Sequence, residues 1–181
     1  MAITKTDANK VSARVFSKLS LILTVVLLVM GIAGVRASST IIKTVNDGLV
    51  EEKLYFPPKG NPAFSPAMFP EAQAYAGQQV KDGATAKAYA DKFLGVQLKL
   101  IGGGKTLSEV SAQAAANPTD PTLQQTQGAM FQVSTGKALL TSAYGGVTQA
   151  MAIRYMGIAA LAGATALAAV AVIEAVRSKM S

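Results

Sequence analysis

The stretch with the most chemical texture is Gly102-Gly103-Gly104-Lys105-Thr106, a glycine turn followed by an ammonium and a hydroxyl. A phosphate-binding loop uses such a set to wrap backbone amides, a lysine and a metal-binding hydroxyl around a nucleotide. That loop also needs a glycine five residues before Gly104, where this chain has Lys99, so the stretch reads as a turn that feeds a helix. Thr106 and Glu109 fit a capping box, in which each side chain satisfies an orphan amide of the first turn. Asp47, Glu51 and Glu52 offer carboxylates to calcium, but without the spacing of a calcium loop they read as a solvated helix face. Serines and lysines are numerous, yet no spacing singles out a nucleophile and base. Met30, Met68, Met130, Met151, Met156 and Met180 are scattered and read as core or lipid contacts rather than copper ligands. Glu174 and Arg177, three apart, read as an interfacial ion pair. With no catalytic constellation, a non-enzymatic role is expected.

The elements that would position these residues are set by a membrane. Leu19–Val35 is a run of seventeen uncharged, mostly aliphatic residues, and Tyr155–Ile173 is a second run of nineteen. With Val15–Lys18 added, the Lys18 ammonium snorkelling to the headgroups, the first run reaches the length of a span. Val35-Arg36-Ala37 has the small residues of a signal-peptidase site, but the run is read as a retained anchor, one leg of a hairpin.

Cysteine and histidine are both absent, which removes disulfides, thiolate ligands and histidine-bound metals or haem; no cofactor is expected. The net charge of +7 would suggest nucleic acid in a soluble chain. Here Lys5, Lys10, Arg14 and Lys18 precede the first leg against Asp7, and Arg177 and Lys179 follow the second against Glu174, so orientation explains part of the excess and no nucleic-acid partner is expected. Both termini are expected in the cytoplasm and the middle segment outside, in the plasma membrane.

This gives an all-α expectation. Residues 1–14 form a basic tail, 15–35 the first transmembrane helix and 36–54 its helical extension, with a kink at Gly48. Residues 55–70 hold five of the seven prolines and read as an extended aromatic strap. Residues 71–146 form a small external helical domain, 147–173 the second transmembrane helix with its lead-in, and 174–181 a cytoplasmic tail. The helical pattern resumes at Glu71, and Ala86, Tyr89, Phe93, Val96 and Leu100 make one apolar face. Gly95–Ile101 stays open between helix and strand. Asp120-Pro121 starts a further helix, with breaks foreseen at Gly136 and Gly145-Gly146.

Two surfaces are expected to meet partners. The strap carries Tyr55, Phe56, Phe64 and Phe69, which either cover the chain's own helices or dock on another protein. The second leg carries Gly157, Ala160, Gly163 and Ala164, small residues that let helix backbones approach closely, against the first leg or a partner. The first leg is bulky and is read mainly as an anchor facing lipid.

Tyr75–Val80 (YAGQQV), Ala86–Asp91 (AKAYAD) and Gly104–Ser111 (GKTLSEVS) give residues 55–145 a likeness to small two-span membrane proteins of actinobacteria. Some of those resemble accessory subunits of the cytochrome bcc–aa3 respiratory supercomplex. The resemblance implies a structural subunit beside integral membrane redox enzymes. A membrane-anchored module that binds a cell-envelope ligand is the alternative.

Overall fold

A computed structural model describes residues 5–180, with side chains described at position 15 and from 17 to 176. The side chains of the basic tail at 1–14 and of Arg177 lie outside that description, and with them the Glu174–Arg177 pair. Among the described residues the fold is all-α and strand-free: α1 (Lys5–Glu51), α2 (Gly83–Ala88), α3 (Gly95–Ile101), α4 (Leu107–Ala116) and α5 (Pro121–Met180). Both terminal helices far exceed the ~20 residues that a span needs. Their most apolar stretches have mean hydropathy 2.3 and 2.2 and are only 6% and 11% buried, unlike the covered core helix of a soluble domain. The chain divides into two compact units, one of the residues through Thr40 with those from Ala150 onward, the other Ile41–Gln149.

In the first unit α1 and α5 run antiparallel: Gly34 lies by Ile153, Gly31 by Gly157 and Leu161, and Leu27 by Gly163. The inward positions of α1 are Ser20, Thr24, Leu27, Gly31, Gly34, Val35 and Ser38, a three-four alternation that keeps one seam on a neighbouring helix. On α5 the seam is Ile153, Gly157, Ala160, Leu161, Gly163, Ala164 and Leu167. Bulk points outward instead: Leu21, Ile22, Val29 and Met30 are each more than 60% exposed.

In the second unit α1 runs through Gly48 to Glu51 as continuous helix, and ends three residues before Leu54. Residues 52–82 are irregular apart from two short 3-10 turns at Pro62–Phe64 and Gln73–Tyr75. The helix expected from Glu71 is therefore absent. Gly77 adopts φ +72, which no α-helix contains. Three glutamine amides take over backbone carbonyls nearby, Gln73 Nε2 donating to Phe64 O, Gln78 to Ala74 O and Gln79 to Val50 O. An isolated antiparallel bridge pairs Tyr55 with Gln79, closed by Phe56 N–H to Gln78 O at 2.9 Å and Val80 N–H to Leu54 O at 2.8 Å.

Helical structure starts where Asp82 caps Thr85 N–H and the Thr85 hydroxyl accepts from Asp82 N–H. After α2 comes a π-helical stretch, Tyr89–Leu94, in which Gly95 N–H reaches back five residues to Ala90 O. The wider i→i+5 turn shifts the phase of the apolar face. Ala86, Tyr89, Ala90, Phe93 and Leu94 are buried and Val96 partly so, but Leu100, placed on that face by regular spacing, is 53% exposed. Gly95–Ile101 is helix.

The glycine turn ends α3: Gly103 takes φ +58, Gly104 N–H bonds Lys99 O and Gly103 N–H bonds Leu100 O, the paired bonds of a Schellman cap. Lys105 Nζ donates to Gln113 Oε1 at 2.8 Å. Thr106 and Glu109 form the capping box that starts α4, and Asp120 Oδ1 accepts from Thr122 and Leu123 N–H at the start of α5. α5 then continues through Gly136, Gly145 and Gly146, since a glycine inside a helix costs only about 1 kcal/mol and does not by itself end it.

The capping box carries a pH dependence. Hydrogen bonds from the Thr106 amide and hydroxyl hold the Glu109 carboxyl below its ordinary range. A carboxylate depressed in the folded state contributes stability above its unfolded pKa and loses it as pH falls through the folded value. Lowering pH through the acidic range should therefore fray α4, and Glu109→Gln should flatten that part of the profile; hydrogen exchange at Ser108–Val110 measured against pH checks it.

Candidate interaction surfaces

The strap segment is held by its rings. Phe56, Phe64 and Phe69 are 1%, 1% and 2% exposed, inside the second unit's core with Ala72, Val80 and Ala90. Phe93 gathers them, its ring centroid 5.6 Å from Phe64, 5.2 Å from Phe69, 6.4 Å from Phe56 and 4.9 Å from Tyr89. Phe56 in turn stacks on Tyr75 at 5.2 Å. Of the four aromatic residues read as covering either the chain's own helices or a partner, only Tyr55 remains open, at 51% exposure.

The small residues of the second leg divide in the same way. Gly157 is covered, and a Cβ placed on it would lie 2.9 Å from Gly31 O and 3.1 Å from Val35 N, so the two backbones are in contact. Ala164 is 1% exposed, while Ala160 and Gly163 are half-buried on the same seam. Gly31 and Gly34 supply the matching small surface on the first leg. Sequence reading missed them because it weighed the average bulk of that leg rather than its three-four seam. Ala159, Ala162, Ala166 and Ala169 face outward, also at intervals of three and four.

Ser38, on the first unit's α1 seam, is fully buried, and its hydroxyl has no hydrogen-bond partner. Thr24 on the same seam instead donates to its own Ser20 carbonyl at 2.8 Å.

The second unit contains an apolar groove of about 650 Å³, walled by Leu49, Leu54, Leu94, Val133, Leu139 and Leu140. Its polar lining is Glu52, Gln132 and Tyr89. Burial pushes the Tyr89 phenol above its ordinary pKa, so it stays a protonated donor at neutral pH. A smaller cleft of about 360 Å³ lies by Glu71, Asp91, Lys92 and Lys99, with Lys92 and Glu71 paired loosely at 3.8 Å. Asp47 is engaged by Lys43 at 2.6 Å and Glu52 lines the groove, so these two acidic residues serve separate settings. No group of three metal-ligating side chains occurs among the described residues. No family model matches this chain, and no curated protein or solved structure matches it.

Proposed function

We propose that the chain is a non-catalytic accessory subunit of a multi-subunit membrane complex, with both termini cytoplasmic and the middle domain on the outer side. The observation that carries this reading is the outward face of the second leg. Against lipid tails small side chains gain nothing over large ones, whereas against another helix they allow close backbone approach. The inner stripe of that leg is already used by Gly31 and Gly34, yet Ala159, Ala162, Ala166 and Ala169 repeat the pattern on the outside. On the second leg the large exposed side chains, Tyr155, Met156, Ile158, Val170, Val172 and Ile173, stand towards its two ends, whereas the first leg shows leucine, isoleucine and valine along its length. One leg thus suits lipid and the other a second integral membrane protein, with Tyr55 as an aromatic contact outside the bilayer.

The likeness of residues 55–145 to actinobacterial two-span proteins makes the cytochrome bcc–aa3 supercomplex the complex of choice. After mild detergent extraction the full chain should co-migrate with haem absorbance on a native gel. Migration with non-haem partners rejects the respiratory assignment, and migration alone rejects the subunit reading. Ala162→Leu with Ala166→Leu should lower recovery of the complex about tenfold, since over-packing a helix contact costs ~1–3 kcal/mol. Both positions lie off the internal seam, so the helix pair itself should survive.

A further inference from the structure

We propose that the groove of the second unit binds a neutral single-chain amphiphile of the monoacylglycerol type, a ligand whose recognition does not depend on the subunit reading. The leucine walls, some 650 Å³ in extent, fall within the ~300–1,000 Å³ of small-molecule sites and suit an acyl chain. Tyr89 sets the polar end. Its side chain is 7% exposed, its ring is fixed by Phe56 at 4.8 Å and Phe93 at 4.9 Å, and its hydroxyl has no hydrogen-bond partner among the described residues. The hydroxyl is not among the buried unpartnered atoms, so it opens to the groove, where an ester carbonyl would supply an acceptor. The Gln132 amide and the Glu52 carboxylate accept from free hydroxyls, and Glu52, the one charged group lining the groove, disfavours an anionic head such as a fatty-acid carboxylate. Two candidate spans in the same chain bring the protein to a lipid source.

The chain has no tryptophan, so Leu139→Trp on the 67% exposed rim places a single fluorophore at the groove. The full chain in phosphatidylcholine nanodiscs would be titrated with a monoacylglycerol carrying a dibrominated acyl chain. Saturable quenching is expected, with the matching dibrominated fatty acid about fivefold weaker at neutral pH from repulsion at Glu52. Tyr89→Phe should raise the half-saturating concentration about fivefold, the equivalent of one net hydrogen bond. Gly136→Leu should abolish quenching while circular dichroism stays unchanged: a Cβ there meets only Leu94 Cδ1 at an ordinary 3.7 Å, and leucine favours the helix. Quenching that never saturates, that survives Gly136→Leu, that ignores Tyr89→Phe or that is as strong with the fatty acid overturns the proposal.

Discussion

Replacing Phe93 by Ala should lower the stability of the middle domain by about 3–5 kcal/mol, the usual cost of emptying a buried phenylalanine site. Phe93 is 6% exposed and meets the rings of Phe56, Phe64, Phe69 and Tyr89 within 6.4 Å or less. Three of those rings come from residues 55–70, which have no helix of their own beyond one short turn to hold them. Removing Phe93 therefore leaves a cavity and unties the strap segment at three points. The cavity cannot collapse cheaply, because the π-helical stretch fixes the backbone on one side and prolines 57, 62, 66 and 70 stiffen it on the other. Urea unfolding of the full chain followed by near-ultraviolet circular dichroism should show the loss, with early loss of hydrogen-exchange protection at Phe56 and Val80, whose amides bond Gln78 O and Leu54 O. A drop below about 1 kcal/mol would mean that the aromatic cluster is not what holds residues 55–80 in place. Tyr55→Ala, at an exposed ring on the same segment, is the surface control and should be close to neutral.

How far the sequence exposes this architecture depends on the range of the forces involved. The two apolar legs, the Thr106–Glu109 box and the Asp120 cap are local in origin: each is written in one continuous stretch and appears where the residues put it. The stretch 71–82 is not local. Its alanines and glutamines suit a helix, but the glutamine amides bond carbonyls up to 29 residues away, and such a tertiary exchange leaves no periodic mark. The π-helical stretch is hidden for a related reason. Its insertion changes the phase of the apolar face between Tyr89 and Leu100, so that a single 3.6-residue period fits the first half and misplaces the second. Among the expected partner residues, residue type marked packing correctly as a property but did not say against what. Phe56, Phe64 and Phe69 pack inside their own domain, and Gly157 packs on Gly31. The groove was invisible for the same reason, since Leu49, Leu94 and Leu140 come from three separate segments.

The seam of the first unit gives the second large effect. Gly157→Val should separate the two legs, at a cost of about 3 kcal/mol or more, because its first added carbon already falls 2.9 Å from Gly31 O and 3.1 Å from Val35 N. Side chains can rotate out of such a conflict; backbone atoms of a continuous helix cannot, so the helices must move apart and lose contact along their length. Gly163→Ala is the matched control on the same helix. Its added carbon meets only Leu27 Cδ1 at 3.7 Å, an ordinary contact, so it should be neutral or slightly stabilising through its higher helix propensity. Because the chain has no native cysteine, spin labels can be placed at Leu21 and Val172, both more than 60% exposed and both in this unit. The distance distribution between them in detergent micelles should stay narrow in the parent and in Gly163→Ala, and should lengthen and broaden in Gly157→Val. A narrow, unshifted distribution in Gly157→Val would mean that the legs are not held by glycine contact. If instead the two substitutions broadened it alike, the disturbance would belong to the helix in general, and the selective role of Gly157 would fall.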